Sequence, residues 1–202
     1  MLLLLVVAQL VLPGIAAQRL RDRLSRSGRV LEVKVEAFPA IELLWHQADR
    51  VVVRMARYHS TPGHLGSALG ETSDTGSLYA SARRLQTGLL TLSNANLTKR
   101  GNELAGSASV READLRSAIP FIRGVTPVAS GDRKLVLRGI AFGLTADATL
   151  MAVNGKLVVR QNVPILNFFT VTVFSDPHLA VQGVAARAKP GGFELSGRGR
   201  LK

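Results

Sequence analysis

Cysteine is absent from the 202-residue chain. That excludes disulfides, thiolate metal sites, a cysteine nucleophile and a lipidated N-terminal cysteine, and it leaves the compartment open. Aromatic residues are scarce, at 5%, so most of the 47% apolar content is Val, Leu, Ala and Ile. Such a mixture fits a β-rich interior of branched and small side chains. With 20% charged residues, the composition affords a packed core and excludes wholesale disorder. Acids are also few, 14 scattered residues, which leaves the paired carboxylates of glycoside or metal chemistry without a visible home.

What is plentiful is positive charge. Lys and Arg number 26, and the formal net charge is +12. A balance this basic implies attraction to anionic matter: phosphate backbones, acidic polymers or lipid headgroups. Apart from Arg19, Arg21, Arg23 and Arg26, the arginines are spread along the chain. No run of like charges reads as a nucleic-acid arm.

Residues 1–28 read as an N-terminal signal or anchor followed by an amphipathic helix. MLLLLVVAQLVLPGIAA is apolar except for Gln9. It is short for a spanning helix and about right for the apolar region of a signal peptide, with small residues at Gly14, Ala16 and Ala17 near a cleavage point; a buried core helix is the other reading. No basic residue precedes the run and four arginines follow it, opposite to the usual charge arrangement. The native start is therefore expected upstream. Beyond Pro13, Ala16, Leu20 and Leu24 share a helix face, Asp22 is spaced to pair with Arg26, and Gly28 is available for a left-handed cap.

From Arg29 onward the dominant period is two. Leu31, Val33, Val35 and Ala37 alternate with Glu32, Lys34 and Glu36. Further strands are expected at 50–58, 77–87, 103–110, 133–142, 145–153, 156–161, 170–174 and 178–188. A last one contains Phe193, Leu195, Gly197, Gly199 and Leu201, and its Arg-Gly tail reads as an edge strand. Asn154-Gly155 marks a type I′ hairpin. Residues 60–76, rich in Gly, Ser and Thr, read as a mobile loop. Short helices are expected at 39–47, opening at Pro39, and at 112–121, opened by capping-box spacing from Ser109 to Glu112. No linker divides residues 29–202, so they form one domain. The fold class is α+β, mostly β: about ten antiparallel strands in a highly twisted sheet or half-barrel, plus the N-terminal apolar helix.

A search for reaction chemistry finds little. There is no G-x-S-x-G elbow, and His46, His59, His64 and His178 lack ligand spacing. Gly63, Gly66 and Gly70 lack the frame of a phosphate loop, and Asn96-Leu97-Thr98 is a glycosylation triplet of a kind common by chance. No catalytic residue, metal site or cofactor is expected. Large apolar groups follow prolines instead: Leu43, Leu44 and Trp45, then Phe121 and Ile122, then Phe168 and Phe169. They read either as plugs of the core or as walls of a lipid cavity.

The order of motifs adds a resemblance. VKVEAFPAIELLWHQADRVVVRM, LTLSNANLTKRGNELAGSASVREADLRSAIP, KLVLRGIAFG and TVTVFSDPHLAVQGVAA occur in that sequence. Together, over roughly residues 10–202, they resemble the LmeA-like phospholipid-binding family of actinobacterial-type cell envelopes. The resemblance implies a relative of the tubular lipid-binding fold, a twisted sheet wrapping helices around an elongated apolar cavity. It further implies a phospholipid ligand, a setting on the periplasmic side of the plasma membrane, and support of envelope lipoglycan assembly. On this reading Phe38, Ile41, Leu44, Trp45, Leu115, Ile119 and Phe121 line an acyl-chain tunnel, and burial of each CH₂ contributes about 0.8 kcal/mol. The expected protein is non-enzymatic and partnered by phospholipid and a membrane surface, not nucleic acid. Three alternatives stand beside it: a structural envelope protein with a filled core, a basic polyanion or nucleic-acid module, and an enzyme using His46 or Asp114.

Overall fold

The apolar N-terminal run and the amphipathic segment after it form one continuous helix, α1 (Leu2–Ser25), with Pro13 inside it. In the computed structural model the residues described are 2–45, 47–60, 70, 72–87, 90–114, 122–131, 134–141, 144–162, 170–175 and 177–202. α1 ends in a turn in which the Ser27 amide donates to the Leu24 carbonyl at 3.0 Å. Gly28 takes no left-handed cap conformation there. It opens β1 instead, and a Cβ on it would stand 2.1 Å from the Arg57 carbonyl oxygen, so close approach of two backbones explains the glycine. Asp22 accepts from Gln18 one turn earlier, at 3.0 Å, rather than pairing with Arg26.

Alternation then builds the strands: β1 (Gly28–Glu36), β2 (Ala48–Ser60), β3 (Thr75–Thr87), β4 (Leu90–Arg100), β5 (Glu103–Arg111), β6 (Ile122–Gly131), β7 (Lys134–Ala141), β8 (Leu144–Val153), β9 (Lys156–Asn162), β10 (Thr170–Phe174), β11 (Leu179–Lys189) and β12 (Gly192–Leu201). The expected mostly-β fold with an N-terminal helix is what forms. Seven strands make one twisted sheet, ordered β1-β2-β3-β4-β5-β12-β11, which stays open. Five make a second sheet, the meander β10-β9-β8-β7-β6. Strand β11 packs across to β6, β7 and β8, and the Asn154-Gly155 hairpin bridges to Val181. That hairpin takes the expected positive φ angles, 50° and 76°.

Three expectations are corrected. The pair β2–β3 is parallel, because residues 61–74 are long enough for a crossover connection. The Arg-Gly strand β12 is interior, bonded to β5 on one side and β11 on the other. Ser109 caps no helix, since it lies inside β5 with Glu194 and Ser93 as Cα partners. Residues 112–114 are helical, and the rest of the expected 112–121 helix lies outside the described residues, as does most of the 60–76 loop.

The main core sits between α1 and the first strands of the large sheet. Ala48, Val51, Val53, Met55 and Leu78 are buried there, with Leu20 and Leu24 of α1, Val30 and Val35 of β1, and Leu43 packed on them. Leu43 is thus a core plug. Elsewhere Val110 and Phe193 are buried on adjacent strands of the large sheet, and Leu135 is buried in the meander.

Candidate functional site

Strand β1 leaves the large sheet at Glu36 and enters a turn, Ala37–Phe38–Pro39–Ala40, with a cis bond between Phe38 and Pro39. Ala37 and Ala40 are buried, while Phe38 is 79% exposed. A 3-10 helix, Ala40–Trp45, follows within the expected 39–47 span. Side-chain amides and carboxylates hold the turn. Gln9 of α1 donates through Nε2 to the Ala37 carbonyl at 3.2 Å and accepts through Oε1 from the Ala40 amide at 2.7 Å. The Phe38 amide donates to Asp49 Oδ2 at 2.7 Å. One polar residue in an apolar run thus clamps both flanks of the turn, and an acid on β2 ties its middle. The ring is left in water on a pinned backbone, at a cost of about 1.5–3 kcal/mol in forgone burial.

Helix α1 presents a graded face beside this turn. Val11 and Ile15 are 47% and 44% exposed. At 100° per residue they fall within about 80° of Arg19 and Arg26 on the helical wheel, opposite Leu20 and Leu24. Arg19, Arg21, Arg23 and Arg26 are all exposed. The outer face of α1 therefore runs from apolar to basic. Among the described residues, no helix is long and apolar enough to cross a membrane.

Two clefts open on the other face of the large sheet. One of about 380 Å³ is lined by Glu32, Lys34, Glu36, Arg50, Val52, Arg54 and Tyr79. The second, about 550 Å³, adjoins it at Glu32 and Arg54 and extends to Leu31, Arg83 and Asn96. Neither is an enclosed apolar cavity. Glu32 meets Lys34 at 3.0 Å and Arg54 at 3.2 Å, and the hydrogen bond from Lys34 leads the effects that hold its carboxyl below the usual value. The Tyr79 hydroxyl donates to Asn96 Oδ1 at 3.3 Å. These are solvated ion pairs with no nucleophile beside a base. Asp114 is gripped by Arg111 through two hydrogen bonds, of 2.8 and 2.9 Å. His59 and His178 are exposed, and His46 and His64 lie outside the described residues. Among the described residues, no three His, Asp or Glu groups converge to hold a metal ion.

Lys99 is fully buried. Its ammonium donates to the carbonyls of Thr75 and Ser73, the latter at 3.3 Å, and so caps the turn that starts β3. Burial lowers its pKa, with Asp74 opposing.

Of the seven residues expected to line a tunnel, Phe38 stands at the surface, because its turn leaves the sheet and packs its neighbours inward instead. Ile41, Leu44 and Trp45 lie in the 3-10 helix with side chains outside the described set, and Leu115, Ile119 and Phe121 fall outside the described residues altogether. Gln9 and Asp49 escaped sequence reasoning. The one signal for Gln9 was its polarity within an apolar run. A comparison of the chain with family models, characterised proteins and solved structures found no match.

Proposed function

We propose that this chain is a non-enzymatic phospholipid-binding protein of the bacterial cell envelope, of LmeA-like kind, which engages its membrane through the Phe38 turn and the N-terminal half of α1. The observation that carries this reading is the pinned, 79% exposed phenylalanine. Three side-chain hydrogen bonds fix the backbone that carries the ring outward, and an exposed apolar group that gathers with others into a patch marks an interaction or membrane site. Val11 and Ile15 add apolar contact on the neighbouring helix. Arg19 and Arg21, about two to three turns beyond Val11, lie at the depth of headgroups once the N-terminal half of α1 dips into the interface, each contributing about 1 kcal/mol at an anionic surface. The two described clefts are lined by paired charges, which suits a polar contact surface. The periplasmic setting and the lipoglycan connection rest on the motif resemblance.

Co-sedimentation of the full chain with vesicles tests the proposal. Phosphatidylcholine vesicles are expected to retain the protein weakly, and vesicles containing phosphatidylglycerol strongly. Substituting Val11→Ser, Ile15→Ser and Phe38→Ser together removes about 4–6 kcal/mol of apolar contact at most, so partition drops by orders of magnitude. A wild-type chain that stays in the supernatant with both vesicle types overturns the reading, as does a triple variant that sediments like the parent.

A further inference from the structure

The opposite end of the large sheet carries a different surface. There Arg29 of β1 is the register partner of Arg57 on β2, and Arg57 that of Arg84 on β3. All three are exposed. Val30, Met55 and Tyr58 all pack on the core, and the register shift between Arg29 and Val30 marks a β-bulge at Ala56 that breaks the two-residue period and leaves Arg29 and Arg57 on the outer face, away from α1. Adjacent strands are about 4.8 Å apart, which sets three guanidinium-bearing positions in a straight row roughly 10 Å long. Like charges directly opposite one another on paired strands destabilise a sheet. No ion pair relieves these three among the described residues, and Glu32 further along β1 is already engaged by Lys34 and Arg54.

We infer that this arginine row docks the phosphates of a second, anionic bilayer, so that the protein bridges two membranes; the inference rests on the membrane-engaging role proposed above. Guanidinium forks pair with phosphate oxygens through two parallel hydrogen bonds, the contact that such a row offers in series. Exposed aromatic stacking groups, which a single-stranded nucleic acid requires, are missing from the row. The extended β1 strand carries the chain roughly 30 Å from Arg29 to Phe38. With the row facing away from α1 as well, one planar bilayer cannot touch both ends. Two contacts at opposite ends of one rigid sheet make a tether.

Vesicle clustering separates the two contacts. Mixed with phosphatidylglycerol-containing vesicles, the full chain is expected to bind them and to raise turbidity by cross-linking, and added salt reverses the turbidity. The variant Arg29→Gln/Arg57→Gln/Arg84→Gln binds single vesicles but no longer clusters them, with the affinity of that face reduced on the order of 100-fold. A control, Lys156→Gln/Arg160→Gln/Arg187→Gln, removes the same charge elsewhere and clusters like the parent. If the parent binds vesicles without clustering them, the tether is refuted and the membrane-binding role stands. If it does not bind at all, both fail. Equal loss of clustering in the control overturns the assignment to this row, and preferential capture of an oligonucleotide over vesicles by the row overturns the lipid occupant.

Discussion

Replacing Gln9 by leucine keeps most of the side-chain volume and removes both clamps on the Phe38 turn. The Ala37 carbonyl loses a donor and the Ala40 amide loses an acceptor. Ala40 is fully buried, so its amide has little access to water. Each lost bond is worth about 1 kcal/mol net, with the buried amide toward the upper part of the range for an unsatisfied group, giving about 2 kcal/mol in all. In a chain of this size 1 kcal/mol moves Tm by about 2–4 °C, so thermal unfolding followed by circular dichroism should shift down by about 4–8 °C. Vesicle partition of the folded variant should weaken as well, since the turn must now be ordered on binding. Asp49→Asn is the control, because it keeps an oxygen for the Phe38 amide and should leave both measurements near the parent. A Gln9→Leu protein with Tm unchanged within about 1 °C would refute the reasoning that this residue builds the turn.

Three further outcomes follow from the geometry. Gly28→Ala places a methyl 2.1 Å from the Arg57 carbonyl oxygen and should cost about 1–3 kcal/mol by denaturant titration; Gly101→Ala, with open space but a φ of 55°, should cost about 1 kcal/mol. Because burial depresses the Lys99 pKa below its ordinary 10.5, the folded state gives up that proton first, and wild-type stability relative to Lys99→Met should rise as pH climbs from the lowered value toward 10.5; a flat difference would contradict the burial. Asp147, hydrogen-bonded to Arg138, is held below its ordinary 3.8, so its contribution is present above that pH and fades as pH falls through the lowered value. Arg138→Gln should flatten that part of the acid stability profile.

Legibility tracked how local each cause was. Strands whose alternation is set by their own residues, such as β1 and β12, were readable because a sheet face needs only the period of two. Strand β4 was not, since Ser93, Asn94 and Asn96 have little strand preference and the strand is held by partners on both sides. Strand β6 hid behind Pro127, which is tolerated because β6 is the edge of the meander. Part of the candidate site was singled out in Phe38, expected as a cavity wall; it is a protrusion instead, because its neighbours Ala37 and Ala40 are the buried ones. The arginine row is invisible in one dimension. Positions 29, 57 and 84 become neighbours only through one antiparallel and one parallel pairing.

The strand order also has a kinetic meaning. Strand β5 must wait for β12, and the chain between them holds the whole five-stranded meander and then β11. Hairpins of neighbouring segments close quickly, whereas a pairing across so long a stretch is slow to be found. The meander is thus an insert that can settle early, leaving the β5–β12 seam as the last closure of the large sheet. Until that seam closes, the β5 edge stays open to pairing with another chain.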